Sequence, residues 1–456
     1  MRRLPTVLAV LCLAVPAHAG DAATAAALRD KALADSTAWD VVESLTTEIG
    51  PRPAGSPAAE RARDWAVAKF KALGFTNIRV EPFAKPSWAR GDESAEVLAP
   101  FPRKLAIIGL GNSVPTPPKG LDAEIVVLKS FADLLAAPPG AFKGKIVVVN
   151  QPMTRTQDGS GYGAAVVARY GASEAAKRGA VAYLVRSIST GNSRAPHTGA
   201  GAYQPDVRKI PMAALGVPDA DLLERMTARG PVRVHLKLAS FVRPKSMAWT
   251  VSGDIAGSEK QDEVIVIGGH LDSWDPGTGA IDDGAGVAIT TAAARLIGQL
   301  PRHPRRTIRV VMWGSEETGG SSEAYLAAHK DELSKIVIAG ECDLGVDRVY
   351  QVMLPPGALD RPALKPLAAV LAPLRIFVSP EPVREAGSDI EAIQKAGVPV
   401  FALNQDATRY FDIHHSADDT MAVIDPEQLK QNVAAWAPLL YLIADSDVDF
   451  RAKPAK

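Results

Sequence analysis

Four times in its second half the chain runs apolar for the length of a strand and then breaks into acids or histidines. Residues 264–267 lead through Gly268 and Gly269 to His270, Asp272 and Asp282. Residues 308–313 lead to Glu316 and Glu317, and residues 336–339 to Glu341 and Asp343. Residues 399–403 lead, after a loop, to His414 and His415. Apolar runs without alternation are expected of parallel strands covered on both faces. Helical patterns fill the gaps at 283–300, 322–333 and 389–396. A further helix opens at Asp425-Pro426, a cap followed by proline at the first helical position, and runs to about Ala444 with a kink expected at Pro438. Strands alternating with helices predict an α/β fold, a doubly wound and mostly parallel sheet.

In open α/β sheets, ligand sites lie beyond the carboxyl ends of the strands. The acids and histidines therefore converge on one crevice. Imidazoles and carboxylates without a thiolate suit zinc. The carboxylates outnumber what a single ion needs, which favours two zinc ions sharing a bridging acid, ~3.5–4 Å apart in such sites. Adjacent glutamates then divide the labour, one binding metal and its neighbour serving as general base. One His-x-Asp or Glu-Glu pair alone is ordinarily a solvated surface feature. Four such clusters, each closing a strand, are not.

The rest of the chain differs in texture. Residues 22–48 read as mainly helical, 57–73 as an amphipathic helix carrying Trp65 and Phe70, and 78–83 as a strand. Between 105 and 242, short β-rich runs alternate with proline and glycine turns around one helix at 171–178. This stretch carries no metal-ligand pattern and reads as an inserted, mostly β domain. Its one pointed feature is Pro196-His197-Thr198-Gly199, although a lone loop histidine is ordinarily just solvent-exposed. The 456 residues exceed one ordinary core. They divide into 20–104 and 243–456 as two parts of a catalytic domain, with 105–242 inserted.

Residues 1–19 read as a signal peptide. Arg2 and Arg3 precede an apolar run too short to span a membrane, and Ala17-His18-Ala19 forms a cleavage site. Export to the periplasm or the medium follows, with no membrane anchor. Cys12 leaves with that segment, so Cys342 has no partner for an intramolecular disulfide and reads as a packing residue. Lysine plus arginine and aspartate plus glutamate balance at 51 each, so nothing points to nucleic acid.

The motifs His270-Leu271-Asp272-Ser273, Gly279-Ala280-Ile281-Asp282-Asp283-Gly284-Ala285-Gly286, Ser315-Glu316-Glu317 and His415-Ser416-Ala417-Asp418-Asp419-Thr420 resemble those of the co-catalytic zinc exopeptidases. That family holds aminopeptidases and glutamate carboxypeptidases, and the resemblance leans to the latter through 269–275 and 411–426. It covers most of the chain beyond the signal peptide, the insert included, which looks like a protease-associated domain. The resemblance implies that Asp282 bridges two zinc ions, with His270 and Asp343 completing one site and Glu317 and His415 the other. Asp283 competes for the bridge, but Asp282 stands four residues before Gly286 as the family's bridging acid does. His415 rather than His414 has an acid four residues on, at Asp419. Glu316 is implied as general base, and Asp272 as the carboxylate that fixes the tautomer of His270.

Many relatives place tyrosine just before the ligand histidine as an oxyanion donor. His414 stands there, so His414 and Tyr410 are both candidates. Ser388, Arg384 and Arg409 are candidates for substrate contacts. The expected activity is hydrolysis of terminal peptide bonds in short peptides, dipeptides first, by a homodimer. An aminopeptidase trimming longer peptides is the alternative. A metal-free receptor-like scaffold requires broken ligand positions, and none is broken.

Overall fold

The computed structural model describes residues 21–451. The signal peptide expected at 1–19 lies outside them. Among the described residues no helix is long and apolar enough to cross a membrane.

The apolar run at 264–267 forms the middle of a longer strand, Lys260–His270. It pairs in parallel with Arg306–Trp313 on one side and Ile336–Glu341 on the other. Ile265 and Ile267 join a core with the helices Ala285–Gly298 and Pro426–Ala444 on one face. Val264 and Val266 join a second core with Tyr325, Ile390 and Ile393 on the other. Each fully buried aliphatic side chain of this kind contributes about 1.5–3 kcal/mol, so covering on both faces fixes this strand in the interior of the sheet.

The sheet is less parallel than expected. Beyond Arg306–Trp313 lie Met247–Ile255 and then Thr76–Ala84, both paired antiparallel. Only a short connection separates Met247–Ile255 from Lys260–His270. A parallel crossover takes a dozen or more residues, so the chain must reverse here. The sheet is therefore mixed, with a parallel centre that carries the clusters.

The strand expected at 399–403 is displaced. The regular strand is Ala402–Gln405, in a small sheet with Val349–Met353 and Phe377–Val378. Val400 touches the main sheet only through a parallel bridge to Ala339. Pro399 accepts from the Ala339 amide but has no N–H with which to extend that ladder. Helix ends follow the capping signals more closely. Ser56 accepts from the Ala59 amide at the start of Pro57–Ala72, and Asp425 accepts from Glu427 and Gln428 at the start of Pro426–Ala444.

A second sheet has eight strands. Leu121–Leu128, Ile146–Val149, Ala182–Arg186 and Met212–Leu215 run parallel at its centre. Ala172–Lys177 and Val217–Thr227 add helices, so this region is α/β rather than mostly β. Glu93–Ala99 pairs here with Arg233–Leu238, ahead of the boundary expected at 105. A two-stranded ribbon, Ser87–Ala89 with Phe241–Arg243, lies where the chain enters and leaves.

Candidate metal centre

The carboxyl ends of the parallel strands bring the predicted residues together. His270 closes Lys260–His270, and its Nε2 lies 3.1 Å from Asp282 Oδ1 and 3.6 Å from Asp343 Oδ1. The other oxygen of Asp282 lies 3.1 Å from His415 Nε2, which is 2.9 Å from Glu317 Oε2. The Asp282 carboxylate thus stands between two clusters. His414 lies beside them, its Nε2 3.7 Å from Asp282 Oδ2 and its ring stacked on His415 with centroids 3.5 Å apart.

Close backbone approach makes this arrangement possible. A Cβ on Gly269 would stand 2.2 Å from Asp283 Oδ2, and one on Gly286 would stand 1.8 Å from the Cys342 carbonyl oxygen. Asp283 is buried and accepts from the amides of His270 and Gly286. It anchors the end of the strand to the start of the helix Ala285–Gly298, which leaves the central position to Asp282. Two further groups hold the 271–282 loop. Fully buried Arg52 donates to the carbonyl oxygens of Gly50, Leu271, Thr278 and Gly279. Asp419 accepts from the amides of Ala280 and Ile281, and burial pushes its pKa up to about 7. Sequence reasoning used Asp419 only to choose between the two histidines and missed Arg52.

Both cluster histidines are oriented by main-chain carbonyls. His270 Nδ1 lies 2.9 Å from the Asp272 carbonyl oxygen, whereas the Asp272 carboxylate is 3.5 Å away. That carboxylate also accepts from the Glu316 amide at 3.0 Å. The Asp272 side chain thus reaches both the His270 ring and Glu316, while its backbone carbonyl, folded back by the turn after His270, lies nearer still to the ring. His415 Nδ1 faces the carbonyl oxygen of Thr198 at 3.3 Å, and the Thr198 amide donates to the His415 carbonyl at 2.9 Å. His415 adopts a left-handed φ of 61°. With both Nδ1 atoms directed at carbonyls, both Nε2 atoms face the carboxylates. The 196–199 loop, a weak sequence signal, therefore builds one wall of the site. His197 is itself buried, and burial next to His415 lowers its pKa to about 3.

The carboxylates divide by environment. Burial would raise Asp282, but hydrogen bonds from His270 and His415 outweigh it and hold the carboxyl well below its usual range. Burial pushes Glu317 up to about 8 and Glu316 up to about 7. Glu316 Oε1 accepts from Ser388 Oγ at 2.5 Å, which places Ser388 on the expected base. Burial and the adjacent His415 hold His414 well below the usual histidine range, so it is a neutral imidazole. Tyr410 packs behind it, centroids 5.0 Å apart. Of the two arginines singled out in the sequence, Arg409 pairs with Asp347. Cys342 is buried and unoxidised, and burial raises its thiol.

The donor set fits zinc. Glu317 Oε1 is buried without a hydrogen-bond partner among the described residues, and Asp282 Oδ2 and Asp343 Oδ1 are buried facing imidazole nitrogens, an expensive state for so many carboxylate oxygens unless a cation answers them. The donor atoms of His270, Asp282 and Asp343 lie within 4.8 Å of one another, as do those of Asp282, His414 and His415.

Known proteins with this pattern agree. The model of peptidase family M28 matches residues 250–440, the span holding all the cluster residues. Carboxypeptidase Q of Bos taurus is 39% identical over 435 residues, covering 94% of this chain and 90% of that protein. Its Homo sapiens counterpart is 37% identical over 417 residues, covering 91% and 86%. The crystal structure of a peptidase M28 precursor from Shewanella amazonensis superposes with a TM-score of 0.92 at 42% identity, covering 95% of this chain and 99% of that one. A zinc aminopeptidase from Bacillus subtilis shares the fold, with a TM-score of 0.65 at 18% identity over 89% of this chain and 94% of its own. The chain belongs to peptidase family M28, as a zinc-dependent exopeptidase.

Proposed function

We propose that the protein is a di-zinc dipeptidase and carboxypeptidase acting on short peptides. The observation that carries this reading is the shared carboxylate of Asp282, one oxygen facing His270 and the other facing His415. In this reading His270 and Asp343 would hold one ion and Glu317 and His415 the other, with Asp282 shared between them. Zinc held there would supply Lewis-acid polarisation of the scissile carbonyl and acidification of water. Glu316, held by the Asp272 carboxylate at its amide and by Ser388 at Oε1, takes the proton of the attacking water and delivers it to the leaving amine nitrogen. Neutral His414, fixed by its stack on His415, donates to the developing oxyanion, with Tyr410 packing it in place.

The relatives named carboxypeptidase Q support recognition at the carboxyl end. The second sheet plays the part of a protease-associated domain. Its 196–199 loop walls the histidine side of the crevice and favours small substrates. The protein is exported, and it works as a homodimer. Phe101, in the turn after Glu93–Ala99, and Phe241 and Val242 of the ribbon are exposed apolar surface of the kind an interface covers. The shared aminopeptidase fold supports trimming from the amino end as the second reading.

Zinc analysis of the purified protein tests the centre. Two equivalents are expected per chain, with Asp282→Ala and His415→Ala each losing at least one. Unchanged zinc in both variants would refute the bridge.

A further inference from the structure

Arg90 stands where the chain crosses from the first sheet to the second, between the ribbon strand Ser87–Ala89 and Glu93–Ala99. Its side chain is 13% exposed, and all five of its N–H groups are engaged. Nε and Nη2 grip the two oxygens of Asp275 at 2.8 and 3.0 Å. Nη2 also donates to Thr198 Oγ1 at 3.1 Å. Nη1 donates to the Gly109 carbonyl at 2.6 Å and to the Glu93 carboxylate at 3.2 Å. The guanidinium lies over Trp88, 5.0 Å from the ring centroid. Its planar fork fixes these partners relative to one another, as a lysine ammonium does not.

Those partners belong to the two halves of the metal centre. Asp275 lies in the 271–282 loop, which joins His270 to Asp282. Thr198 lies in the wall that fixes His415, its amide donating to the His415 carbonyl and its own carbonyl facing Nδ1. Ser189 and Thr190 bind the same domain to Phe411 and Asp412, so the wall and the segment leading to His415 form one unit. Asp419 ties the far end of that segment to Ala280 and Ile281. Arg90 makes a tie from the other side, through Asp275. The His270 side has holds of its own: the Asp272 carbonyl lies against its ring, and Arg52 grips Leu271, Thr278 and Gly279. The His415 ring takes its orientation from the wall, and Arg90 sets the wall against the loop.

We propose that Arg90 is a positioning residue for the metal centre: through Asp275 and Thr198 it keeps the His415 side in register with the His270 side, and so governs how tightly the ion of Glu317 and His415 is held. This rests on the di-zinc reading above. Arg90 touches neither metal nor substrate, and its effect on the reaction passes through His415.

The experiment titrates the zinc-loaded protein with a chromogenic chelator and follows the release of each equivalent, in wild type, Arg90→Met and Arg90→Lys. Arg90→Met should release one equivalent about 10–100-fold more readily, as expected when a group that orients a metal ligand is lost, and the other as in wild type. Arg90→Lys, which keeps the charge between Glu93 and Asp275 but not the fork, should fall between, and it reports even where Arg90→Met does not fold. At limiting zinc kcat should drop in both variants and recover in excess zinc, with KM little changed. In His415→Ala, where the affected ion is already lost, adding Arg90→Lys should leave the remaining equivalent as it was. Release unchanged in both variants overturns the role of Arg90 and leaves the di-zinc reading intact. Equal weakening of both equivalents in Arg90→Lys, or a further loss in the double variant, overturns it too, because Arg90 then only supports the fold. A wild type that holds a single equivalent overturns the di-zinc reading, and this proposal with it.

Discussion

Glu316 and Glu317 are neighbours in the chain with different surroundings, and the difference can be measured. Glu317 Oε2 faces His415, while Glu316 is held at Oε1 by Ser388 and at its amide by Asp272. Glu316→Gln keeps the size and can still accept from Ser388, but cannot take a proton. Its kcat should fall by about 10²–10⁴-fold, with zinc content unchanged by metal analysis. Full activity in that variant would remove Glu316 from the proton path. The histidines and acids of the centre were legible in the sequence because each follows an apolar run. Arg52 was not, because all four of its partners are main-chain oxygens, three of them more than 200 residues away. No side-chain pattern encodes a carbonyl. For the same reason the sequence pointed to the Asp272 carboxylate but not to the Asp272 carbonyl, which lies nearer to the His270 ring.

Strands and helices were legible where burial is two-sided or capping is explicit, as at Lys260–His270 and Pro426–Ala444. The sheet's antiparallel edge was not, because direction is set by the length of a connection rather than by any residue type. Glu93–Ala99 was missed for a related reason: its partner, Arg233–Leu238, arrives only after most of the second sheet has been laid down. The element with the tightest tolerance is the start of Ala285–Gly298. Gly286→Ala places a methyl 1.8 Å from the Cys342 carbonyl oxygen, a backbone atom that cannot rotate away. The helix must retreat from the loop that carries Asp343. Overpacking of this kind costs about 1–3 kcal/mol. Urea denaturation should show a loss of that order, accompanied by weaker zinc retention. A variant with wild-type stability and zinc content would mean that the loop yields at no cost.

Across the whole molecule, zinc and folding are linked. The ligand residues all follow the second sheet's insertion, but Arg52 from before it and Thr198 from within it hold them in place. The centre's crowd of buried carboxylate oxygens favours a loaded native state over an empty one. A chelator should therefore abolish activity and lower the thermal midpoint, and added zinc should restore both. An unchanged midpoint on calorimetry would show that the carboxylates are satisfied without metal.

The reciprocal hydrogen bonds between Thr198 and His415 join residues 217 positions apart and belong to different sheets. Until those sheets dock, the His415 imidazole has nothing to choose its tautomer, and either nitrogen can carry the proton. Docking removes that ambiguity and turns the basic nitrogen toward Asp282. The centre is therefore a late product of folding: a half-folded chain offers zinc an incomplete grip, and firm capture of the metal certifies that both sheets have met.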